Sequence, residues 1–344
     1  MESTGKEEKD IDSEQGWNIG VFKPEDAVGV VDLFRSVYGA GYPIPKFIDP
    51  ALLIESNRTQ KTISIVIRTS DGRIVGHTAL YQSAPWKRLY EMGATLVSSD
   101  FRGGKGLATE MIKSGIDVVA KLPEPGVVFG EVVCNHIYMQ KIAHNVGFLP
   151  YALEVDLMPA EAYAAEKSAA GRVSTFLIYK TFQRQRNKVH IPRQYYQQMI
   201  QLYEPIDDDR DFRPSEANCP DEGESLIKVD YNDFAQTARL EVQRIAFNFG
   251  RAMTAIECDL LNKGAVVIQV WLNLSWPWVG KAVDELRRQG YFLGGVLPRW
   301  FDEDGFLMQK ILGRPNWEGI QIASDRGKIV FDLVKKDWEQ TKLI

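Results

Sequence analysis

Cysteine is scarce in this chain, three residues in 344, and histidine nearly as scarce, with four. Neither type recurs at metal-ligand or disulfide-framework spacing, so a zinc module, a disulfide-stapled secreted scaffold and a bound metal are not expected. Cys134 and Cys258 stand in apolar context and Cys219 in a loop-like stretch. No Cys or Ser carries a nucleophile motif with a recognisable base, which speaks against a covalent enzyme intermediate. Long apolar runs are missing too: none approaches the roughly 20 residues of a membrane-spanning helix. Basic charge is not in excess, and a net charge of −5 argues against nucleic-acid or anionic-membrane partners, so neither is predicted. Residues 1–15 are polar and acidic, without the apolar core of a signal peptide. They are expected to form a disordered tail, and the protein to be cytoplasmic.

What is present is ordinary in composition, 44% hydrophobic and 25% charged, with a length that suits about two domains. The chain is organised around Leu96-Val97-Ser98-Ser99-Asp100-Phe101-Arg102-Gly103-Gly104-Lys105-Gly106-Leu107-Ala108. A β-branched, apolar segment meets a polar turn with three glycines and two cations. A helix-period pattern then starts at once and runs to Ala120 (Leu107, Ala108, Met111, Ile112, Gly115, Ile116, Val119). Glycines let backbone N–H groups approach a ligand closely, and a helix start offers unpaired N–H groups backed by the positive end of its dipole. The combination suits a phosphate or pyrophosphate. It is not a P-loop, because Lys105 is followed by Gly106 and not by Ser or Thr, and its glycine spacing departs from the dinucleotide fingerprint.

Around the turn lie a hairpin (63–68 and 74–80, joined by Ser70-Asp71-Gly72), a buried strand (127–133), a helix (135–145) and Gly147-Phe148 opening a further strand. This order, with the block Gly103-Gly104-Lys105-Gly106-Leu107-Ala108, resembles the acetyl-CoA turn and the fold of the GNAT N-acetyltransferase superfamily over roughly residues 17–182. In that family the turn usually opens with Gln or Arg where this chain has Gly103, with Arg102 one residue early. The resemblance implies an α+β fold with a mixed central sheet and flanking helices, acetyl-CoA as cosubstrate, and direct acetyl transfer to an amine acceptor, small molecule or protein. A non-catalytic acyl-CoA-binding module is the alternative.

The same resemblance assigns candidate roles. Leu96 and Val97 would meet the coenzyme through main chain, and Arg102, Gly103, Gly104, Lys105, Gly106, Leu107 and Ala108 would form the pyrophosphate turn. Gly93 would mark a local widening of the preceding strand. Glu91 stands at the offset from Val97 where GNAT protein acetyltransferases place a catalytic glutamate, and a carboxylate there can deprotonate an attacking amine whose reference pKa is about 10.4. Tyr38 and Tyr42, in the Gly- and Pro-rich loop 38–45, either contact substrate or cap the core. Eleven and four residues before Gly147, where the family has Asn and a proton-donating Tyr, this chain has His136 and Ala143. His136 is then a candidate coenzyme contact, and His144 or Tyr138 a candidate proton donor; a polar helix face is the other reading of each.

Beyond this, strands 150–157 and 172–182 are expected around an alanine-rich helix at 160–169. Helix 191–203 and an acidic linker at 207–224 follow. The expected domains are 16–183, a connector at 184–222, and 223–344. The last would be a degenerate GNAT-like copy with Ile245-Ala-Phe-Asn-Phe-Gly-Arg251 in place of the glycine turn, kept for packing, acceptor binding or homodimerisation. Its tail is expected to make a hairpin around Asp325-Arg326-Gly327 and then a helix at 333–342.

Overall fold

The structure, a computed structural model, describes residues 16–39, 42, 44–103, 106–122, 126–163, 168–184, 186–206 and 209–341. The chain divides into two compact units. One takes the described residues up to Ser83 and Tyr90–Val128, and the other Ala84–Leu89 and the chain from Phe129 onward. No helix among the described residues is long and apolar enough to cross a membrane.

In the first unit the elements are β1 (Trp17–Val21), α1 (Ala27–Tyr38), α2 (Pro50–Arg58), β2 (Thr62–Thr69), β3 (Ile74–Tyr81), β4 (Tyr90–Val97) and α3 (Leu107–Ala120). The strands pair antiparallel in sequence order. Both faces are covered, which is why β2 reads as an almost continuous apolar run. Val66 joins Val30, Phe34 and Leu53 of α1 and α2 on one face. Ile67 joins Val97, Leu107 and Met111 on the other. Helix α2 was not anticipated. It begins where Asp49 accepts hydrogen bonds from the Ala51 and Leu52 amides, with Pro50 in the first turn.

β5 (Val127–Val133) crosses from one unit to the other. The second unit continues with α4 (Tyr138–Asn145), β6 (Leu149–Met158), β7 (Val173–Thr181), β8 (Lys188–Ile191), α5 (Tyr196–Tyr203), β9 (Asp211–Pro214), β10 (Leu226–Asn232), β11 (Thr237–Arg244), α6 (Phe249–Asn262), β12 (Val267–Asn273), α7 (Val279–Arg288), β13 (Phe292–Phe301), β14 (Glu303–Ile311) and α8 (Asp325–Thr341). Its main sheet has the order β5-β7-β6-β13-β14-β12-β11-β10, and β8 and β9 form a separate parallel pair. The sequence β5-α4-β6-β7 and the sequence β12-α7-β13-β14 thus lay down their strands in the same spatial order, meeting at β6 and β13.

That meeting is a tight one. Gly295 of β13 pairs with Ala152 of β6. Gly295 has φ +140, and a Cβ there would lie 2.3 Å from the Tyr151 carbonyl oxygen. Buried Gln309 of β14 reaches across: its Oε1 accepts from the Val155 amide (2.9 Å) and its Nε2 donates to the Leu153 carbonyl (2.8 Å). Because the sheet continues through this seam, the compact units divide inside β5, whereas the sequence reading drew its boundaries at 183 and 222.

Three local expectations need correction. The alanine-rich stretch shows only a 3-10 turn at Ala160–Tyr163, with no buried residue to anchor a longer helix, and residues 164–167 lie outside the described residues. The acidic linker is folded: it holds β9 and Arg210, whose guanidinium is buried against Asp304. The tail makes no hairpin. Ser324 Oγ accepts from the Gly327 amide (3.1 Å) and caps α8, so Asp325 and Gly327 sit in a helical first turn. Cys134 is buried, whereas Cys258 is exposed on α6.

The sheet of the second unit also buries charge. Arg239 donates to Glu131 (2.7 Å) and to Glu154 (3.0 Å), and Thr175 Oγ1 donates to the other Glu154 oxygen (2.8 Å). Burial, with Glu131 adding to it, pushes the Glu154 carboxyl up to about 7 despite Arg239. Asp156 is pushed up to about 6, again by burial. Folded-state values above those of the unfolded chain, near 4, mean that the folded protein holds extra protons between about pH 4 and 7. The stabilisation is complete at the acid end of that window and is lost as pH rises through it. Thermal melting of Glu154→Gln should therefore fall less steeply than that of the native protein between pH 5 and 7; parallel slopes would contradict this.

Candidate functional site

Strand β4 is irregular where it leads to the glycine turn. Ala79 of β3 faces Gly93, but His77 faces Leu96, so β4 carries an extra residue. The bulge falls on Ala94, a non-glycine residue at φ +50, one position beyond the Gly93 expected to mark a widening. Sequence reasoning passed over the residue that pins it. His77 is buried, and its Nδ1–H donates to the Ala94 carbonyl (3.0 Å) while its Nε2 accepts from Ser64 Oγ (3.1 Å), the tautomer following from the carbonyl's having no proton to give. Burial pushes the imidazole down to about 4, so it stays neutral at physiological pH. Thr78 and Thr95 hydroxyls, 2.7 Å apart, tie the two strands beside it.

At the other end of the bulge Glu91 is buried. Tyr81, its cross-strand partner, donates its hydroxyl proton to Glu91 Oε1 (2.6 Å). Gly93 leaves room for that pair, since a Cβ there would lie 2.8 Å from the Tyr81 hydroxyl. The two candidate tyrosines reach the same place, although Tyr38 is the last residue of α1 and not, as expected, part of the loop that holds Tyr42. Tyr38 and Tyr42 ring centres are 4.9 Å apart, and Tyr42 packs on Phe34 (4.8 Å). The Tyr42 hydroxyl is pushed up by burial first, then by Tyr38 and by the Glu91 charge. Tyr38 is 40% exposed and Tyr42 half-buried, so the pair both covers the core and presents a surface. Lys46, not singled out from the sequence, joins them with its ammonium 4.3 Å from the Tyr81 ring centre.

The turn follows β4 directly. Leu96 and Val97 are buried, and Arg102 Nε donates to the Val97 carbonyl (2.8 Å), which commits part of the guanidinium to holding the turn. Gly103 (φ +88) and Gly106 (φ +65) both adopt left-handed backbone, and a Cβ at either would meet nothing within 4 Å among the described residues. Gly106 is the N-cap of α3, Leu107 is buried and Ala108 half-buried. Gly104 and Lys105 lie outside the described residues.

The remaining candidates belong to the second unit. His136 is half-buried, its ring 5.4 Å from that of Tyr138, and its Nδ1 is buried without a hydrogen-bond partner. Tyr138 is 72% exposed, and His144 is exposed at the far end of α4. Six residues apart on a helix, these two point about 120° apart around its axis and lie at opposite ends, so α4 does not bring them together. Inward-facing Gln140 holds α4 to the carbonyls of Val133 (3.2 Å) and Gln321 (2.9 Å). Farther along the chain, Glu285 of α7 stands against the start of α6: a Cβ at Gly250 would lie 2.4 Å from its carboxyl carbon, and both residues line a cavity with Phe247, Lys281 and Arg288.

Residues 44–149 match the family model described as acetyltransferase (GNAT) domain. Comparison with curated proteins finds no match. Among solved structures, the chain is similar to the ribosomal-protein-S5-alanine acetyltransferase of Vibrio fischeri (14% identity, 48% of this chain and 93% of that one, TM-score 0.39). It is also similar to yncA of Salmonella typhimurium, a putative acetyltransferase with acetyl-CoA (14%, 49% and 95%, 0.40). A third is the spermidine N-acetyltransferase of Vibrio cholerae in complex with CoA and spermine (14%, 48% and 95%, 0.38). Through residues 44–149, this chain carries an acetyltransferase domain of the GNAT family.

Proposed function

We propose that the chain is an acetyl-CoA-dependent N-acetyltransferase acting on a primary amine, with one coenzyme site. The observation that carries this reading is the open glycine turn at Gly103 and Gly106, which opens α3 directly after a strand bulged at Ala94. Backbone amides of the turn and the first turn of α3 would hold the pyrophosphate, and the bulge would turn main-chain N–H groups toward the thioester oxygen, where negative charge develops. Glu91, directly or through water, would take the proton from the incoming amine. The nitrogen then attacks the thioester carbonyl and the coenzyme thiolate leaves. A thiol has a pKa near 8.5, so the thiolate departs without help from an acid, consistent with Ala143 where the family's tyrosine would stand. The Glu285 carboxylate at the start of α6 would meet an anion as like charge, which supports a second half that binds no pyrophosphate and is a degenerate copy kept for packing.

The test is release of free thiol from acetyl-CoA with an amine panel. Thiol release that requires an amine supports the reading; coenzyme binding without turnover would leave the acyl-CoA-binding module in its place. Gly106→Val should weaken acetyl-CoA binding by calorimetry about tenfold or more, because a side chain in the open notch stops the backbone approaching a phosphate and left-handed φ is unfavourable for valine. Unchanged affinity would count against the site.

A further inference from the structure

Lys46 is held in an unusual way for a surface cation. Its ammonium donates one hydrogen bond, to Thr62 Oγ1 (3.0 Å), an oxygen that also accepts from Ser56 (2.7 Å). Two ring faces lie beside it, Tyr81 at 4.3 Å and Phe47 at 5.1 Å. Among the described residues it makes no ion pair, although an ammonium offers three donors. Burial pushes its pKa down to about 8, against the pull of the Glu91 carboxylate. Aromatic faces compensate only part of what a cation loses on leaving water, and a carboxylate would compensate the rest.

We propose, building on the acetyltransferase reading above, that Lys46 anchors the acceptor by its anion: the amine that is acetylated also carries a carboxylate. Tyr81 sets the spacing, because the same side chain has its hydroxyl on Glu91 and its ring face under Lys46. A nitrogen presented to Glu91 and a carboxylate paired with Lys46 are then only a few bonds apart, as in an α- or β-amino acid. The tyrosines at 38 and 42 form an aromatic wall for the side chain of such a molecule. A polyamine, cationic throughout, would meet Lys46 as a repulsive charge.

The experiment compares matched acceptors, methionine, phenylalanine, glutamate and β-alanine against the carboxamide of each, in the native protein and in Lys46→Met and Lys46→Arg. One charge-assisted pair in a partly desolvated site should favour the carboxylate member about tenfold or more in kcat/KM, chiefly through KM. In Lys46→Met that ratio should collapse to within about twofold of unity, and in Lys46→Arg part of it should survive. Equal use of acid and carboxamide by the native protein, or a preference that persists in Lys46→Met, overturns the anchor and leaves the acetyltransferase reading standing. Absence of thiol release with every amine overturns both.

Discussion

Replacing Glu91 by glutamine is expected to lower kcat by about 10²–10⁴-fold at neutral pH while changing KM little. Glutamine has nearly the same shape and can still accept from the Tyr81 hydroxyl, so β3 and β4 stay paired and the acceptor still binds. What is lost is the ability to take a proton from an ammonium that is almost wholly protonated at pH 7. In the native protein the rate should rise with pH along an acid limb as the carboxyl ionises. That limb should be absent in Glu91→Gln, leaving only the dependence on free amine. A variant with the native pH–rate profile would remove Glu91 from the role of base.

The largest effect on stability is expected at Asp304. Its carboxylate is fully buried and accepts from Arg210 Nη2 (3.1 Å), the Tyr203 hydroxyl (2.9 Å) and the Arg299 amide (3.0 Å). Asp304→Asn keeps the volume and removes the negative charge that faces an Arg210 guanidinium only 3% exposed. Breaking a buried ion pair by removing one member typically costs about 3–5 kcal/mol. Urea unfolding followed by tryptophan fluorescence reads this cleanly, because of the eight tryptophans only Trp17 lies in the first unit. A loss below about 1 kcal/mol would mean that the guanidinium finds water and that the pair stabilises little.

Legibility in the sequence followed the range of the interactions. The bounds of α3 and β5 could be read because an apolar strand, a glycine cluster and a 3.6-residue period are local signals. Helix α2 was also written locally, in Asp49-Pro50, and was overlooked because its apolar stripe is thin, with Leu53 its only buried residue. The tail was misread because Asp-Arg-Gly suits a turn as well as the first turn of a helix, and the deciding residue, Ser324, lies one position upstream. Arg210 falls in the stretch 207–224 expected to be an acidic linker; its partner is 94 residues farther on, beyond any pattern in that stretch itself.

The site shows the same division. Glu91 and the glycine turn stand out by residue type and spacing. His77 is one more member of an apolar hairpin in the sequence, and nothing local distinguishes Lys46. Only the paired strands place the His77 ring under Ala94, and only the packing of Phe47 and Tyr81 strips water from Lys46. Gly93 was noticed for a reason that proved secondary. The extra residue is Ala94, and the missing Cβ of Gly93 makes space for the Tyr81–Glu91 hydrogen bond.

The contact of Gly295 with Ala152 turns what would be two bare sheet margins into an internal joint. A margin of unsatisfied amides and carbonyls adheres to any passing strand, and here each half of the second unit stoppers the other. Strands 226–311 thus have a reason to persist whatever becomes of the chemistry at α6. A chain shortened at residue 183 would exchange a closed seam for an adhesive rim.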